Sequence, residues 1–336
     1  MTRIFEHRGR RDLRPLPMVR FRLGRRIVEK ERGPVQATPP LPILYLVGAG
    51  YVGCRAAVLW RARGGRVRAL VRSASALVRA SRAGAEVVAG DLDQPSSLTG
   101  LDGRGTVVLY TVPPPKQGTD DPRIRAFLAA LETRFPSRLV YLSTTGVYGD
   151  CSGDWVTEMR PARPRTERAR RRWSAEQALR SWSEFSGVPV TVLRVAGIYG
   201  PGRLPLERIR RGLPVLREAE SPFSNRIHVD DLARACLAAA SGDGPGGVYN
   251  ASDGRPGTLT GFLRAVADRY GLPPPPEVSR KDAGAALTPE LLSFLEESRR
   301  IDASKLRRDL LPDLLYPDLE AGLAACLAEE RREEAP

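Results

Sequence analysis

The first sustained apolar run in the chain is residues 43–47, ILYLV. Five apolar residues without a charge predict a short strand buried on both faces, as in a parallel sheet. Residues 54–62 then read as a helix, which Gly64 and Gly65 stop. The alternation repeats. Strands are predicted over 66–71, 86–89, 106–112, 138–142 and 190–195. Helices are predicted over 74–82, around 122–134 and over 166–185. Strands alternating with helices imply right-handed crossovers and a parallel sheet. Beyond Tyr199 the pattern is more irregular, with helices expected over 226–237, 259–270, 289–300 and 319–330 and a Pro-rich linker at 272–276.

The expected fold is α/β: a Rossmann-like doubly wound parallel sheet with a smaller C-terminal substrate lobe. Residues 41–200 would form the nucleotide-binding domain. Residues 201–330 would form mainly the lobe, interleaved with the sheet because the sixth strand returns after a long helix. Residues 1–40 are charged, end in VQATPPLP and lack periodicity, so they are expected to be a disordered extension.

Gly48, Gly50 and Gly53 follow the first strand in G-x-G-x-x-G spacing and open the first helix. The first allows a tight turn, the second lets a pyrophosphate approach the backbone, and the third lets helix and strand pack closely. With Tyr51 and Val52 between them, these residues form the expected phosphate cradle at a helix N-terminus. An NAD-preferring site usually has a carboxylate about 20 residues further on. Here the second strand ends Val71-Arg72-Ser73. Arg72, with Arg55 as a second guanidinium, predicts a 2′-phosphate and hence NADP in preference to NAD. Asp91 and Leu92 are expected at the adenine end, and Thr111 where the backbone passes the cofactor.

Charge changes this picture little. The formal net charge is +14, but residues 1–34 hold eleven Arg/Lys and four Asp/Glu, which is +7. Heavy arginine use and the absence of aromatic–basic interleaving make nucleic-acid binding an unfavoured reading. No apolar run approaches 18 residues, so no membrane span is expected. Four unpaired cysteines and two histidines, His7 and His228, predict a cytoplasmic protein with no metal site. The expected partner is a small-molecule substrate, and a homodimer is an open option.

From LSTTGVYG at 142–149 onward the chain resembles extended short-chain dehydrogenases/reductases, the NAD-dependent epimerase/dehydratase group. LRVAGIYGPGR at 193–203 and NRIHVDDLA at 225–233 are similar to that group's post-catalytic strand and lobe entry. GGVYNASD at 246–253 looks like its next strand, and the segment from 298 onward looks like the tail of its YeeZ-like atypical subgroup. The resemblance implies a hydroxyl that positions a substrate oxygen, here Thr144. It also implies a Tyr-x-x-x-Lys pair for proton transfer. Counting back from Glu176 and forward from Tyr148 puts Arg168 at the tyrosine position and Arg172 at the lysine position. None of the nine tyrosines has Lys four residues on. Arginine cannot cycle a proton near neutral pH. Tyr148 could substitute as the acid/base, and Arg172 could hold a ribose hydroxyl. Arg168 and Arg172 share a helix face, so burying both would need an anionic partner. His228 is expected to be structural, at a turn whose Asp230 and Asp231 cap the next helix. The sequence thus predicts an NAD(P)-dependent oxidoreductase or epimerase for a small metabolite, with an anionic one an open option. The alternative is a catalytically inactive NADP-binding regulator or scaffold.

Overall fold

A computed structural model describes residues 40–334 except 243 and 245, so the expected extension lies, up to residue 39, outside the described residues. Seven strands build the main sheet: β1 (Ile43–Val47), β2 (Val67–Val71), β3 (Glu86–Ala89), β4 (Thr106–Tyr110), β5 (Arg138–Thr144), β6 (Val190–Val195) and β7 (Gly246–Ala251). Their order is β7-β6-β5-β4-β1-β2-β3, with every pairing parallel. The order reverses between β1 and β4, and ligands of such sheets sit in the crevice at that switch point.

The apolar runs are continuous because both faces are covered. Leu44 and Leu46 of β1, with Val107 and Leu109 of β4, enter the core on one face. Tyr45 and Val47, with Val108 and Tyr110, enter the core on the other. The first face is packed by α1 (Tyr51–Ala62), α2 (Ala74–Arg82) and, later in the chain, Val229–Ser241. The second is packed by α3 (Pro122–Ala130) and α4 (Glu167–Ser186). Glu132 adopts a φ of 51°, so α3 stops short of the expected end at 134. Strand β4 ends two residues early, before Thr111, and β5 continues through Thr144.

The main departures lie in the lobe. Residues 226–228, expected as the start of a helix, form a strand that pairs in parallel with Gly197–Tyr199. The helix α5 begins at Val229 and runs to Ser241. His228 itself caps it, its ring nitrogen Nδ1 accepting from the Asp230 amide. Asp231 instead accepts from the amides of Leu315 and Tyr316, tying the tail down. The expected helix over 289–300 is α7 (Pro289–Leu295), after which Arg300–Ile301 pair with Trp155–Val156. Between these, α6 (Leu259–Arg269) packs on α8 (Leu319–Glu334) in a separate small core. Thus α5 and β7, from beyond residue 200, belong to the layers of the main sheet. Among the described residues no helix is long and apolar enough to cross a membrane.

Candidate functional site

Two cavities open at the carboxyl ends of the central strands. The first, of about 290 Å³, lies between β1, β2 and β4. Its floor is the turn from Val47 to Gly50. Gly48 has φ +104°, and a Cβ there would lie 2.8 Å from Thr111 Oγ1. A Cβ on Gly53 would lie 2.4 Å from the Gly48 carbonyl oxygen, so helix and loop touch only because both are glycine. Gly50 differs: a Cβ there would meet nothing within 4 Å, because the position opens outward. The cradle therefore fits a dinucleotide: two glycines closed by protein, one left open toward a ligand. Gly50 caps α1, so the amides of Tyr51, Val52 and Gly53 are free of intrahelical partners. The Tyr51 side chain leaves the cleft and donates to the Pro201 carbonyl at 2.8 Å, while Val52 packs in the core.

Arg72, Ser73, Asp91, Leu92 and Thr111 all line this cleft. Arg72 pairs with Asp93 at 2.7 Å and reaches Asp91 at 3.6 Å, but its side chain is 55% exposed. An exposed pair of this kind is worth about 0–1 kcal/mol, so an incoming anion can displace it. Leu92 is buried and offers an apolar contact. The Thr111 hydroxyl donates to the Gly48 carbonyl at 2.7 Å, locking the turn. Two cleft residues lacked a sequence signal. Arg79 of α2 donates from Nε to the Ala49 carbonyl at 3.0 Å. Arg123 of α3 reaches Asp93 at 2.6 Å and the Pro113 carbonyl at 2.9 Å.

Arg55 is a correction. It bonds Asp230 at 2.7 Å and Glu329 at 2.9 Å and lines a separate groove between α1 and α5. Its position on α1 turns it away from the dinucleotide cleft, so it cannot hold a 2′-phosphate there.

The second cavity, of about 460 Å³, lies beyond β5 and β6 and under the lobe. Thr144 and Thr145 line it from the end of β5. Thr144 Oγ1 accepts from the Gly146 amide at 3.1 Å, which leaves its own proton free to donate. Neighbouring Ser143 is buried and donates to Glu176 Oε1 at 2.5 Å. Glu176 in turn pairs with Arg194 at 2.8 Å, both side chains being almost fully buried.

Tyr148 is the second correction. It is 1% exposed, and its hydroxyl donates to Asn250 Oδ1 at 2.7 Å. Burial pushes its pKa up to about 12 despite nearby Arg194. It packs with Cys151, Val156 and Ile301 and closes a loop, so it does not serve as the acid/base. Tyr148→Phe is expected to leave NADPH affinity within a factor of two of wild type. It should cost about 1–2 kcal/mol in urea unfolding, because Asn250 loses a buried donor.

Arg168 and Arg172 both lie on α4 but are treated differently. Arg172 is half-buried; its Nη1 donates to the Leu142 carbonyl at 2.8 Å and to the Tyr141 hydroxyl at 3.1 Å. It thus sits at the ends of β4 and β5, satisfied by neutral oxygens. Arg168 is exposed, with its guanidinium 3.8 Å from the Phe294 ring centroid. Desolvation lowers its pKa from the ordinary arginine value. The two are not buried together, so the condition under which they would need an anionic partner does not arise.

The lobe contributes Arg226, which stacks 4.1 Å from the Phe262 ring centroid. Its Nη1 donates to Ser224 Oγ and its Nη2 to the Thr258 carbonyl. No carboxylate lies within ion-pair distance of it among the described residues. Desolvation lowers its pKa to about 10, with Asp253 opposing. His228 is buried, its pKa lowered by desolvation, and it packs against Tyr199 and Tyr316.

Residues 48–243 match the family described as NAD(P)H-binding. Protein YeeZ of Escherichia coli K12 is 26% identical over 287 residues, 81% of this chain and 96% of that protein. A Streptomyces 3-diazoavenalumate denitrifying reductase is 28% identical over 281 residues, 75% of this chain and 87% of that protein. The solved structure of a conserved protein of unknown function from Silicibacter pomeroyi is 32% identical. It superposes with a TM-score of 0.73, covering 86% of this chain and 99% of that one. A Rossmann sheet, a glycine cradle at its switch point and the 48–243 match converge: this chain belongs to the NAD(P)H-binding family, among the atypical epimerase/dehydratase-like short-chain dehydrogenases/reductases.

Proposed function

We propose that the protein is an NADP-preferring oxidoreductase acting on a small anionic metabolite held in the cavity beside β5. The observation that carries the cofactor preference is the set Arg72, Ser73 and Arg79 on the ribose side of the cleft. Two guanidinium groups and a hydroxyl suit a 2′-phosphate. Asp91 and Asp93 face the same region, but their hold on Arg72 is exposed and weak.

When bound, the nicotinamide supplies or accepts a hydride. The Thr144 hydroxyl, with its proton free, is placed to donate to a substrate oxygen. Arg226 is half-buried against Phe262 with only neutral acceptors, so an anionic substrate group would offset its desolvation. Arg172 fixes the ends of β4 and β5 through backbone carbonyls and can add a ribose contact. Arg168 stays charged at neutral pH and cannot shuttle a proton. Because Tyr148 is locked on Asn250, the proton comes from water or from the substrate itself. The reductase among the relatives is consistent with hydride delivery in this group.

The test is a fluorescence titration with NADPH and NADH. Wild type is expected to bind NADPH more tightly. Arg72→Ala should lose about tenfold in NADPH affinity, with NADH nearly unchanged, as one charge-assisted contact predicts. Equal loss for both nucleotides would sink the 2′-phosphate assignment, and no binding of either would sink the function. Tight NADPH binding without turnover of any carbonyl or alcohol would leave a cofactor-binding regulator.

A further inference from the structure

Arg72 and Arg123 both line the dinucleotide cleft, one just past the end of β2 and the other in the first turn of α3. One carboxylate joins them. Asp93, in the loop after β3, accepts from Arg123 Nε at 2.7 Å through Oδ1 and from Arg123 Nη2 at 2.6 Å through Oδ2. The same Oδ2 accepts from Arg72 Nη1 at 2.7 Å. Asp91 shapes the loop for this, its Oδ1 accepting from the Asp93 amide at 3.0 Å.

The two guanidinium groups are engaged differently. Arg123 uses all three nitrogens: Nη1 donates to the Pro113 carbonyl at 2.9 Å, and the side chain is 15% exposed. A two-bond fork fixes both oxygens of a carboxylate and is stronger than a single contact. Arg72 donates through one nitrogen only. Its Nε and Nη2 have no hydrogen-bond partner among the described residues, and its side chain is the more exposed of the two. The Arg123 hydrogen bond is the main cause that holds the Asp93 carboxyl below the ordinary aspartate value, so Asp93 is ionised at neutral pH.

Among the described residues, three guanidinium groups gather on the ribose side, those of Arg72, Arg79 and Arg123, with two carboxylates, Asp91 and Asp93. That leaves one net positive charge, against about two negative charges on a phosphate monoester. Any one of these groups therefore shifts the balance by as much as the balance itself.

We propose that Asp93 limits the affinity of this cleft for a 2′-phosphate, and that Arg123, by engaging both Asp93 oxygens, keeps it from closing on Arg72. Asp93 is then a residue that sets selectivity between NADP and NAD, and Arg123 is a positioning residue that acts through it. This rests on the reading that Arg72 meets the 2′-phosphate.

The test is a double-mutant cycle on the full-length protein, with NADPH and NADH titrated by fluorescence. The two nucleotides differ only in the 2′-phosphate. Asp93→Asn should raise NADPH affinity about fivefold, the scale of one exposed charge pair, and leave NADH within a factor of two. Arg123→Gln should lower NADPH affinity about fivefold, again with NADH within a factor of two. With Asp93→Asn already in place, Arg123→Gln should change NADPH affinity by less than a factor of two, because no carboxylate remains for it to hold. Thermal unfolding reports whether each variant is folded. A merely structural Arg123 would weaken both nucleotides in both backgrounds. Unchanged or weaker NADPH binding in Asp93→Asn, equal losses of NADPH and NADH in Arg123→Gln, or the same loss from Arg123→Gln in both backgrounds would overturn the inference. Failure of the underlying reading shows elsewhere, as the lack of a selective NADPH loss in Arg72→Ala; failure of the inference alone leaves that selective loss intact.

Discussion

Glu176→Ala is expected to destabilise the protein by about 3–5 kcal/mol, because it leaves the buried Arg194 guanidinium without its counter-ion. Arg194 donates to both Glu176 oxygens, and Ser143 donates to Oε1. The Arg194 guanidinium also lies 4.7 Å from the Tyr148 ring centroid. One carboxylate thus joins α4, β5 and β6 directly behind Thr144. In urea unfolding the midpoint should fall while the slope with denaturant stays unchanged. Pairing Glu176→Leu with Arg194→Met should recover much of the loss, since an apolar replacement of a buried ion pair is often neutral. A single Glu176→Ala variant as stable as wild type would show that the pair does not hold these elements together.

Much of the sheet was legible because its physics is local. Strands buried on both faces are largely apolar, so residues 43–47 stood out as an unbroken run and 66–71, 106–112 and 190–195 as mostly apolar segments. The glycine turn was visible because close approach demands glycine at fixed spacing. What escaped depends on contacts between distant segments. Residues 226–228 become a strand only because Gly197–Tyr199 lies alongside, and the adjoining helix onset made them look helical. Residues 296–300 read as helix, whereas Trp155–Val156, far away in sequence, pairs with residues 300–301. That pairing also brings Glu297 and Arg299 into the cavity, so neither could be singled out beforehand. Arg55 and Tyr148 failed for another reason. Each lies beside a motif in sequence, but its side chain points to the opposite side of its element, toward Asp230 in one case and Asn250 in the other. Arg79 stood unmarked among the arginines of α2 until the fold turned it toward the Ala49 carbonyl.

Gly50→Val should separate binding from folding. The backbone at Gly50 is extended, with φ −96° and ψ −166°, a conformation open to any residue. A Cβ there would meet no protein atom within 4 Å. Stability should therefore fall by at most about 1 kcal/mol, the cost of a poorer helix cap. The added methyl groups would stand where a pyrophosphate must approach the backbone. Affinity for NADPH and NADH should drop together, on the order of 100-fold, or about 2.7 kcal/mol. That differs from Arg72→Ala, whose effect should fall on NADPH alone. It differs also from Gly53→Ala, where a Cβ 2.4 Å from the Gly48 carbonyl must move the backbone and cost stability as well as binding. Titration and thermal unfolding of the three variants distinguish the roles. A Gly50→Val protein that binds NADPH as tightly as wild type would mean that the phosphates do not pass over this turn. The cleft would then lose its assignment even with the fold intact.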